Sequence, residues 1–137
     1  MAYLLDTCAL SEFTKPEPSP SVDAWFAQIP DGADFVSVLT LGELGKGITK
    51  LPKSRRRASL ERWFGGLRDR FTGRIIPIDE AVALEWGRIA ARSELAGHPV
   101  ASIDALLAAT AIVHGLSVVT RNTSDIVRTG APVIDPW

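Results

Sequence analysis

The chain has few of the residues on which several common kinds of functional site depend. It contains one cysteine and two histidines among 137 residues, which excludes an internal disulfide and a cysteine–histidine zinc cluster. The single cysteine fits a reducing compartment, and we expect the protein to work in the cytoplasm. No apolar run approaches the roughly 18 residues of a membrane span, and the first residues lack the basic flank and long apolar core of a signal peptide. We therefore expect no membrane association.

The chain also lacks a strong charge of either sign. Its 15 basic and 16 acidic residues leave a formal net charge of −1, so any contact with nucleic acid must depend on local patches. The segment 50–57 is basic, and it is either a solvated turn or a surface that contacts phosphates. A hydrophobic content of 46% with 23% charged residues indicates a folded core, and we predict a single domain spanning residues 1–137.

Short apolar runs alternate with longer segments of helical periodicity. This alternation predicts an α/β fold, with a mostly parallel sheet of about five strands between two layers of helices. Pro77 suggests an edge position for the third strand, because proline cannot donate to a central strand. The predicted strands lie at about residues 3–5, 34–38, 74–78, 116–120 and 131–137.

Four carboxylates occupy related places in this pattern. Asp6 ends the first strand, Glu43 lies in the helix after the second, Asp104 begins the helix before the fourth, and Asp125 follows that strand. Ligands of parallel sheets bind beyond the carboxyl ends of the strands, where three of these residues would meet. Asp104 joins them if its helix starts on the same side, which a chain reversal after the preceding long helix allows. Four carboxylates in one crevice repel one another unless a cation is bound, and oxygen-only ligands suit Mg²⁺ or Mn²⁺. Such an ion can neutralise a phosphodiester oxygen and activate a water.

Most of these residues also have an ordinary structural explanation. Thr40 and Glu43 have the spacing of a capping box, and Asp104 can stabilise a helix N-terminus that Ser102 would cap. Asp125 is compatible with a turn after a strand. Asp6 is hardest to explain in this way, because a charge that ends an interior strand needs a partner. The spacing alone therefore does not decide between a metal site and purely structural roles for these residues.

The residues around these carboxylates resemble the PIN-domain family. The similarity is strongest to VapC-type toxins of bacterial toxin–antitoxin pairs, including the plasmid-stability and FitB-like members, and it runs over nearly the whole chain. Each block is weak alone, but four blocks in the right order are specific. The matching blocks are Leu4-Leu-Asp-Thr7, Leu41-Gly-Glu-Leu-Gly-Lys-Gly-Ile48, Ile103-Asp-Ala-Leu-Leu-Ala-Ala-Thr-Ala111 and Thr120-Arg-Asn-Thr-Ser-Asp125.

The resemblance implies a PIN-like α/β/α sandwich and an endoribonuclease that uses Mg²⁺, with Mn²⁺ as a substitute. It further implies inhibition by a small cognate antitoxin, a homodimer, and contact with operator DNA only through that antitoxin. The family's acidic residues carry over onto Asp6, Glu43 and Asp104. For the fourth acidic position we favour Asp125 over Asn122, which carries no charge. Supporting roles fall to Thr7, Arg121 and Asn122.

Two other classes of function remain compatible with the residues. The first is a non-catalytic interaction module, in which the acidic crevice receives a basic segment of a partner. The second is a small-molecule phosphohydrolase on a similar sheet. The second lacks its expected nucleophile, because Cys8 stands where a second aspartate would be needed two residues after Asp6.

Overall fold

Five short strands form one parallel sheet in the order β3-β2-β1-β4-β5. The computed structural model describes all residues, 1–137. In the centre of the sheet, Leu4 of β1 pairs with Phe35 of β2 on one side and Val118 of β4 on the other. The predicted parallel α/β class is confirmed, as is the edge position of the third strand. The strands are β1 (Tyr3–Leu5), β2 (Asp34–Ser37), β3 (Ile75–Ile76), β4 (Ser117–Val119) and β5 (Val133–Ile134).

Helices cover both faces of the sheet, as predicted. None of them is long and apolar enough to cross a membrane. A short 3-10 helix, Glu12–Thr14, follows the first α-helix. The α-helices are α1 (Thr7–Ser11), α2 (Pro20–Gln28), α3 (Val38–Thr49), α4 (Arg55–Arg70), α5 (Glu80–Leu95), α6 (Ser102–His114) and α7 (Thr123–Val127).

The two faces of the sheet belong to two separate hydrophobic clusters. Adjacent residues of a strand point to opposite faces, so Leu4 and Val118 join one cluster while Leu5 and Val119 join the other. The first cluster is completed mainly by α5 and α6, and the second by α1, α3 and α4. All four strand residues are fully buried. The result is the predicted three-layer sandwich, whose central strands end between the two helical layers.

Two of the predicted helix caps are wrong. Ser19 caps α2, and Pro20 takes the first helical position, where its missing N–H costs nothing. Ser37, rather than Thr40, caps α3 by accepting from the Leu39 N–H at 3.1 Å. Helix α6 begins at Ser102 itself, and its N-cap residue Ala101 makes no side-chain cap bond.

The chain between Ala111 and Ile134 contains one helix that the sequence pattern did not predict. Gly115 ends α6 in the left-handed conformation, with φ 67° and ψ 36°, as predicted. Helix α7 then follows β4 after a short bend, and Asp125 lies in its first turn. A helix of five residues is too short to show an amphipathic period, which explains why the pattern indicated only a turn.

Helix α3 runs without interruption through its three glycines. A Cβ at Gly45 would meet the Phe64 ring at 3.8 Å, an ordinary contact, whereas Gly42 and Gly47 have open space around them. The helix is therefore not short, and only Gly45 lies against a neighbouring side chain. Gly42 and Gly47 expose the helix backbone on the same side as Glu43.

Candidate active site at the carboxyl edge of the sheet

The candidate site begins where β1 and β4 end side by side. The Asp6 N–H donates to the Val119 carbonyl at 3.1 Å, and the Thr120 N–H donates to the Ile134 carbonyl at 3.0 Å. These two bonds extend the parallel ladder by one residue beyond the strands. The side chains of Asp6 and Thr120 therefore emerge together at the carboxyl edge of the sheet, where the sequence predicted the site.

Asp6 is the most buried of the predicted acids, with 9% of its surface exposed. Its Oδ1 accepts from the Ala9 N–H at 2.9 Å and so caps helix α1. Burial raises the pKa of this carboxyl, and nearby Glu43 adds to the rise, while Thr120 and the N–H groups of Ala9 and Cys8 partly oppose it. The Ala9 N–H is therefore the partner of the Asp6 carboxylate. Asp6 caps α1 and also lies in the acidic crevice.

Glu43 has no capping role. Helix α3 starts at Val38, so the predicted capping box with Thr40 does not form, and the buried Thr40 hydroxyl has no hydrogen-bond partner. Instead, the Thr7 hydroxyl donates to Glu43 Oε1 at 2.9 Å. This bond joins α1 to α3 and directs the exposed Glu43 carboxylate towards the end of β1.

Asp104 and Asp125 complete the acidic group. Asp104 lies in the first turn of α6, as predicted, and both side chains are half-buried. Burial raises the pKa of Asp104, and the charges of Asp125 and Glu43 raise it further. Glu43 also acts on Asp6, so each of the four predicted acids lies near at least one other. The structure links them in pairs, Glu43 with Asp6, Glu43 with Asp104, and Asp125 with Asp104.

Carboxylate oxygens are the donor atoms that a hard divalent cation prefers, although these side chains are not arranged around a single point. Four carboxylates supply the candidate ligands, and burial, with a smaller contribution from neighbouring carboxylates, raises the pKa of Asp6 and the pKa of Asp104 above the usual range. A bound cation would relieve both effects. No three acidic, cysteine or histidine side chains are arranged to hold one ion together. The structure therefore supplies oxygen donors suited to a divalent cation without arranging them around one point.

The loop after β4 carries the other two predicted residues, Arg121 and Asn122. Asn122 precedes α7, and its N–H donates to Thr120 Oγ1 at 3.0 Å, but its side chain makes no cap bond. Arg121 is exposed and lies over the Trp137 ring at 5.6 Å from the ring centre. It also lies near enough to Cys8 to work against the burial that raises the pKa of that thiol.

The sequence pattern missed several residues around this loop. Thr120 bridges Asp6 and Asn122, and Trp137 donates its indole N–H to buried Glu12 at 3.3 Å. Trp137 and Glu12 are separated by 125 positions, so no local spacing relates them. The proximity of Trp137 to Arg121 follows only from the parallel pairing of β4 with β5.

Basic side chains border the crevice on both sides of Glu43. A groove of about 500 Å³ contains Lys46 and Lys50 together with Glu43. A second groove, of about 270 Å³, contains Arg56, Thr7 and Glu43. The neighbouring Arg57 has a structural role, because it pairs with Glu61 at 2.8 Å and donates to the Leu51 carbonyl at 2.9 Å. Part of the basic segment is therefore structural, and part faces the acidic crevice.

Comparisons with known proteins agree with this fold. The PIN domain family matches residues 3–131. A VapC ribonuclease of Sinorhizobium fredii is 32% identical over 98% of this chain and 96% of its own length. The toxin FitB of Neisseria gonorrhoeae is 34% identical over 98% of this chain and 97% of its own length.

A solved structure has the same fold over nearly the whole chain. It is the structure of FitAB bound to the IR36 DNA fragment, and the matching chain superposes with a TM-score of 0.93 at 31% identity. The match covers 98% of this chain and 95% of the other. On the family match, the two relatives and this superposition, the chain belongs to the PIN-domain family and is similar to its VapC and FitB toxins.

Proposed function

We propose that this protein is the toxin of a type II toxin–antitoxin pair and cleaves RNA as a Mg²⁺-dependent endoribonuclease. The observation that carries the proposal is the series of neighbouring carboxylates at the carboxyl edge of a PIN fold, in which Glu43 acts on both Asp6 and Asp104, and Asp125 acts on Asp104. Asp6, Glu43, Asp104 and Asp125 would hold Mg²⁺, with Mn²⁺ as a substitute. When bound, the ion supplies charge neutralisation at a phosphodiester oxygen and a more acidic water.

The residues of the chain have separate tasks in this proposal. Asp6 and Asp104 contribute carboxylates that are fixed by the end of β1 and the start of α6. Thr7 orients Glu43 through its hydrogen bond, so that this exposed side chain is held towards the same point. Arg121 lies on the rim and binds an RNA phosphate, because its guanidinium has no carboxylate partner.

The relatives support the proposal of an antitoxin partner. FitB is a toxin, and FitAB is a complex that binds DNA. We propose that a small cognate antitoxin inhibits this chain, that the toxin forms a homodimer, and that operator DNA is contacted only through the antitoxin. Because the RNA substrate is cytoplasmic, the toxin would act in the cytoplasm.

The decisive experiment replaces single carboxylates by amides. Asp6→Asn and Asp104→Asn should each abolish cleavage of an RNA pool in Mg²⁺, while circular dichroism and the melting temperature show an intact fold. Asparagine also caps helices well, so α1 should survive the change at Asp6. Asp69→Asn, at an exposed position of α4, is the control and should cleave at the wild-type rate. Full activity in either crevice variant, or undiminished cleavage in EDTA, would exclude the proposal.

Binding of the ion separates an enzyme from an interaction module. Isothermal titration of the pure protein with Mn²⁺ should give saturable binding that Asp104→Asn weakens at least tenfold. A protein that binds no Mn²⁺ and cleaves no RNA, yet binds a basic peptide at the crevice, would be a module. Hydrolysis of simple phosphomonoesters without RNA cleavage would identify a small-molecule phosphohydrolase.

A further inference from the structure

A second network adjoins the acidic crevice and shares none of its four carboxylates. It consists of Arg121, Trp137, Glu12 and Lys15. The Arg121 guanidinium lies over the Trp137 ring, the Trp137 indole N–H donates to Glu12 Oε2 at 3.3 Å, and the Lys15 ammonium pairs with the same oxygen at 2.9 Å. These contacts connect the 3-10 helix, the loop after β4 and the residues after β5.

Trp137 is held from three directions. Its backbone N–H donates to Asp135 Oδ1 at 3.0 Å, its indole N–H donates to Glu12, and its ring packs against the hydrophobic cluster on the α1 side of the sheet. Its position is therefore determined by the fold rather than by Arg121.

Glu12 is a rigid acceptor for this indole. Only 3% of its surface is exposed. Its Oε1 accepts from the Ser19 N–H at 2.8 Å while Oε2 faces Lys15 and Trp137. Lys15 in particular, together with Ser19 and Trp137, holds the pKa of Glu12 below its ordinary value. A charged, buried and fully engaged carboxylate is well suited to fix the Trp137 ring.

Arg121 differs from Arg57, Arg74 and Arg88 because an aromatic ring is its only partner, whereas Arg74 lies over the Phe71 ring and is also paired with oxygens of Asp34. Arg57, Arg74 and Arg88 each donate to an oxygen of the protein. Arg121 makes no hydrogen bond or ion pair and rests on an aromatic face instead. An aromatic partner holds the guanidinium by its plane and leaves the N–H groups on its edge free, whereas a carboxylate would occupy them. Stacking also restricts the rotamers of the Arg121 side chain before RNA binds. Less conformational entropy is therefore lost on binding.

We propose that Trp137, anchored by Glu12, is a positioning residue that presents the Arg121 guanidinium to a phosphate of the RNA strand in the acidic crevice. The proposal rests on the proposed ribonuclease function, which it deepens. Cation–π stacking at an exposed site contributes a factor of about two to five. Loss of the ring should therefore weaken RNA binding modestly without touching the carboxylates.

The test measures RNA binding separately from cleavage. Fluorescence anisotropy with a labelled single-stranded RNA pool is performed on the Asp104→Asn protein, which should bind RNA without cleaving it. Trp137→Leu should raise Kd about two- to fivefold, and Arg121→Ala should raise it at least as much. Trp137→Phe, which keeps a ring, should bind more tightly than Trp137→Leu. Trp25→Phe, at a second tryptophan that packs on the same cluster, is the control and should leave Kd unchanged.

A double-mutant cycle distinguishes positioning from general structural support. If Trp137 acts through Arg121, Trp137→Leu should have no further effect on Kd in the Arg121→Ala background. In the active enzyme, Trp137→Leu should raise KM by the same factor while kcat stays constant. Glu12→Gln, which keeps an acceptor for the indole, should bind RNA more tightly than Glu12→Ala.

The outcomes separate this inference from the proposed function. Wild-type affinity in Trp137→Leu, or an undiminished effect of that change in the Arg121→Ala background, overturns the role of Trp137 alone. In that case the loss of cleavage in Asp104→Asn still supports the ribonuclease. If the wild-type protein neither binds nor cleaves RNA, the proposed function itself is wrong, and the role of Trp137 is wrong with it.

Discussion

The Thr7 hydroxyl donates to Glu43 Oε1 at 2.9 Å, across 36 positions of the chain. Thr7 is the first residue of α1, and Glu43 lies in the middle of α3. The bond therefore holds an exposed carboxylate of one helix against the start of another, beside the buried Asp6. It is the only hydrogen bond that restrains the Glu43 side chain.

Removal of this bond should impair activity more than stability. Thr7→Val keeps the side-chain shape and removes the donor, so Glu43 becomes free to rotate. We expect kcat/KM for RNA cleavage to fall about two- to tenfold, the equivalent of roughly 0.5–1.5 kcal/mol for one hydrogen bond. Thr7→Ser retains the hydroxyl and should stay near the wild-type rate. Equal activity in the valine and serine variants would contradict a role for the bond.

The raised pKa of Asp104 predicts a pH-dependent gain in stability for Asp104→Asn. A carboxyl whose pKa is higher in the folded state favours folding when protonated, and this benefit is lost as the pH rises through the folded pKa. Without divalent ions at pH 7, the asparagine variant should therefore resist urea better than the wild type. The difference should shrink as the pH falls towards 3.8, the ordinary value of the carboxyl.

The same pair of proteins should be stabilised by Mn²⁺ to different extents. The wild type should gain stability as the ion binds the folded state, whereas Asp104→Asn should gain much less. Urea unfolding at several Mn²⁺ concentrations measures both responses. A wild type that is no less stable than Asp104→Asn at pH 7 without the ion would show that repulsion in the crevice is unimportant.

The fourth acidic position can be assigned by comparing Asp125 with Asn122. Asp125 acts electrostatically on Asp104, whereas the Asn122 side chain makes no cap bond. We expect Asp125→Asn to lower kcat/KM about 10- to 100-fold, and Asn122→Ala to have a smaller effect. Steady-state cleavage of one defined RNA by both variants provides the comparison. The reverse order would transfer the role to Asn122.

Asp79 provides a control at a strand end outside the crevice. Its Oδ1 accepts from the Val82 N–H at 3.0 Å and caps α5, as the sequence predicted. Asp79→Ala should lower the free energy of unfolding by about 1 kcal/mol, measured by urea titration. Because this carboxylate only caps a helix, kcat/KM should not change, and a large loss of activity would mean that the crevice extends to α5.

The structure changes the structural explanation of two of the four acids. The sequence offered a capping box for Glu43 and no partner for Asp6. In the folded protein Asp6 caps α1, and the capping box at Glu43 is absent because Ser37 starts α3 three residues earlier. Cap positions depend on the few residues where the chain leaves a strand, and sequence spacing places such boundaries only within a few residues.

The sequence by itself determined the α/β class, the parallel sheet and the sheet edge on which Asp6, Glu43, Asp104 and Asp125 were predicted. It could do so because apolar runs and helical periods are local patterns, and because parallel strands present their carboxyl ends on one side. Only the tertiary structure decided the hydrogen bond from Thr7 to Glu43, and the contacts that join Glu12 and Arg121 to Trp137. These contacts join distant parts of the chain, and their geometry depends on strand order and helix packing, which no local pattern records.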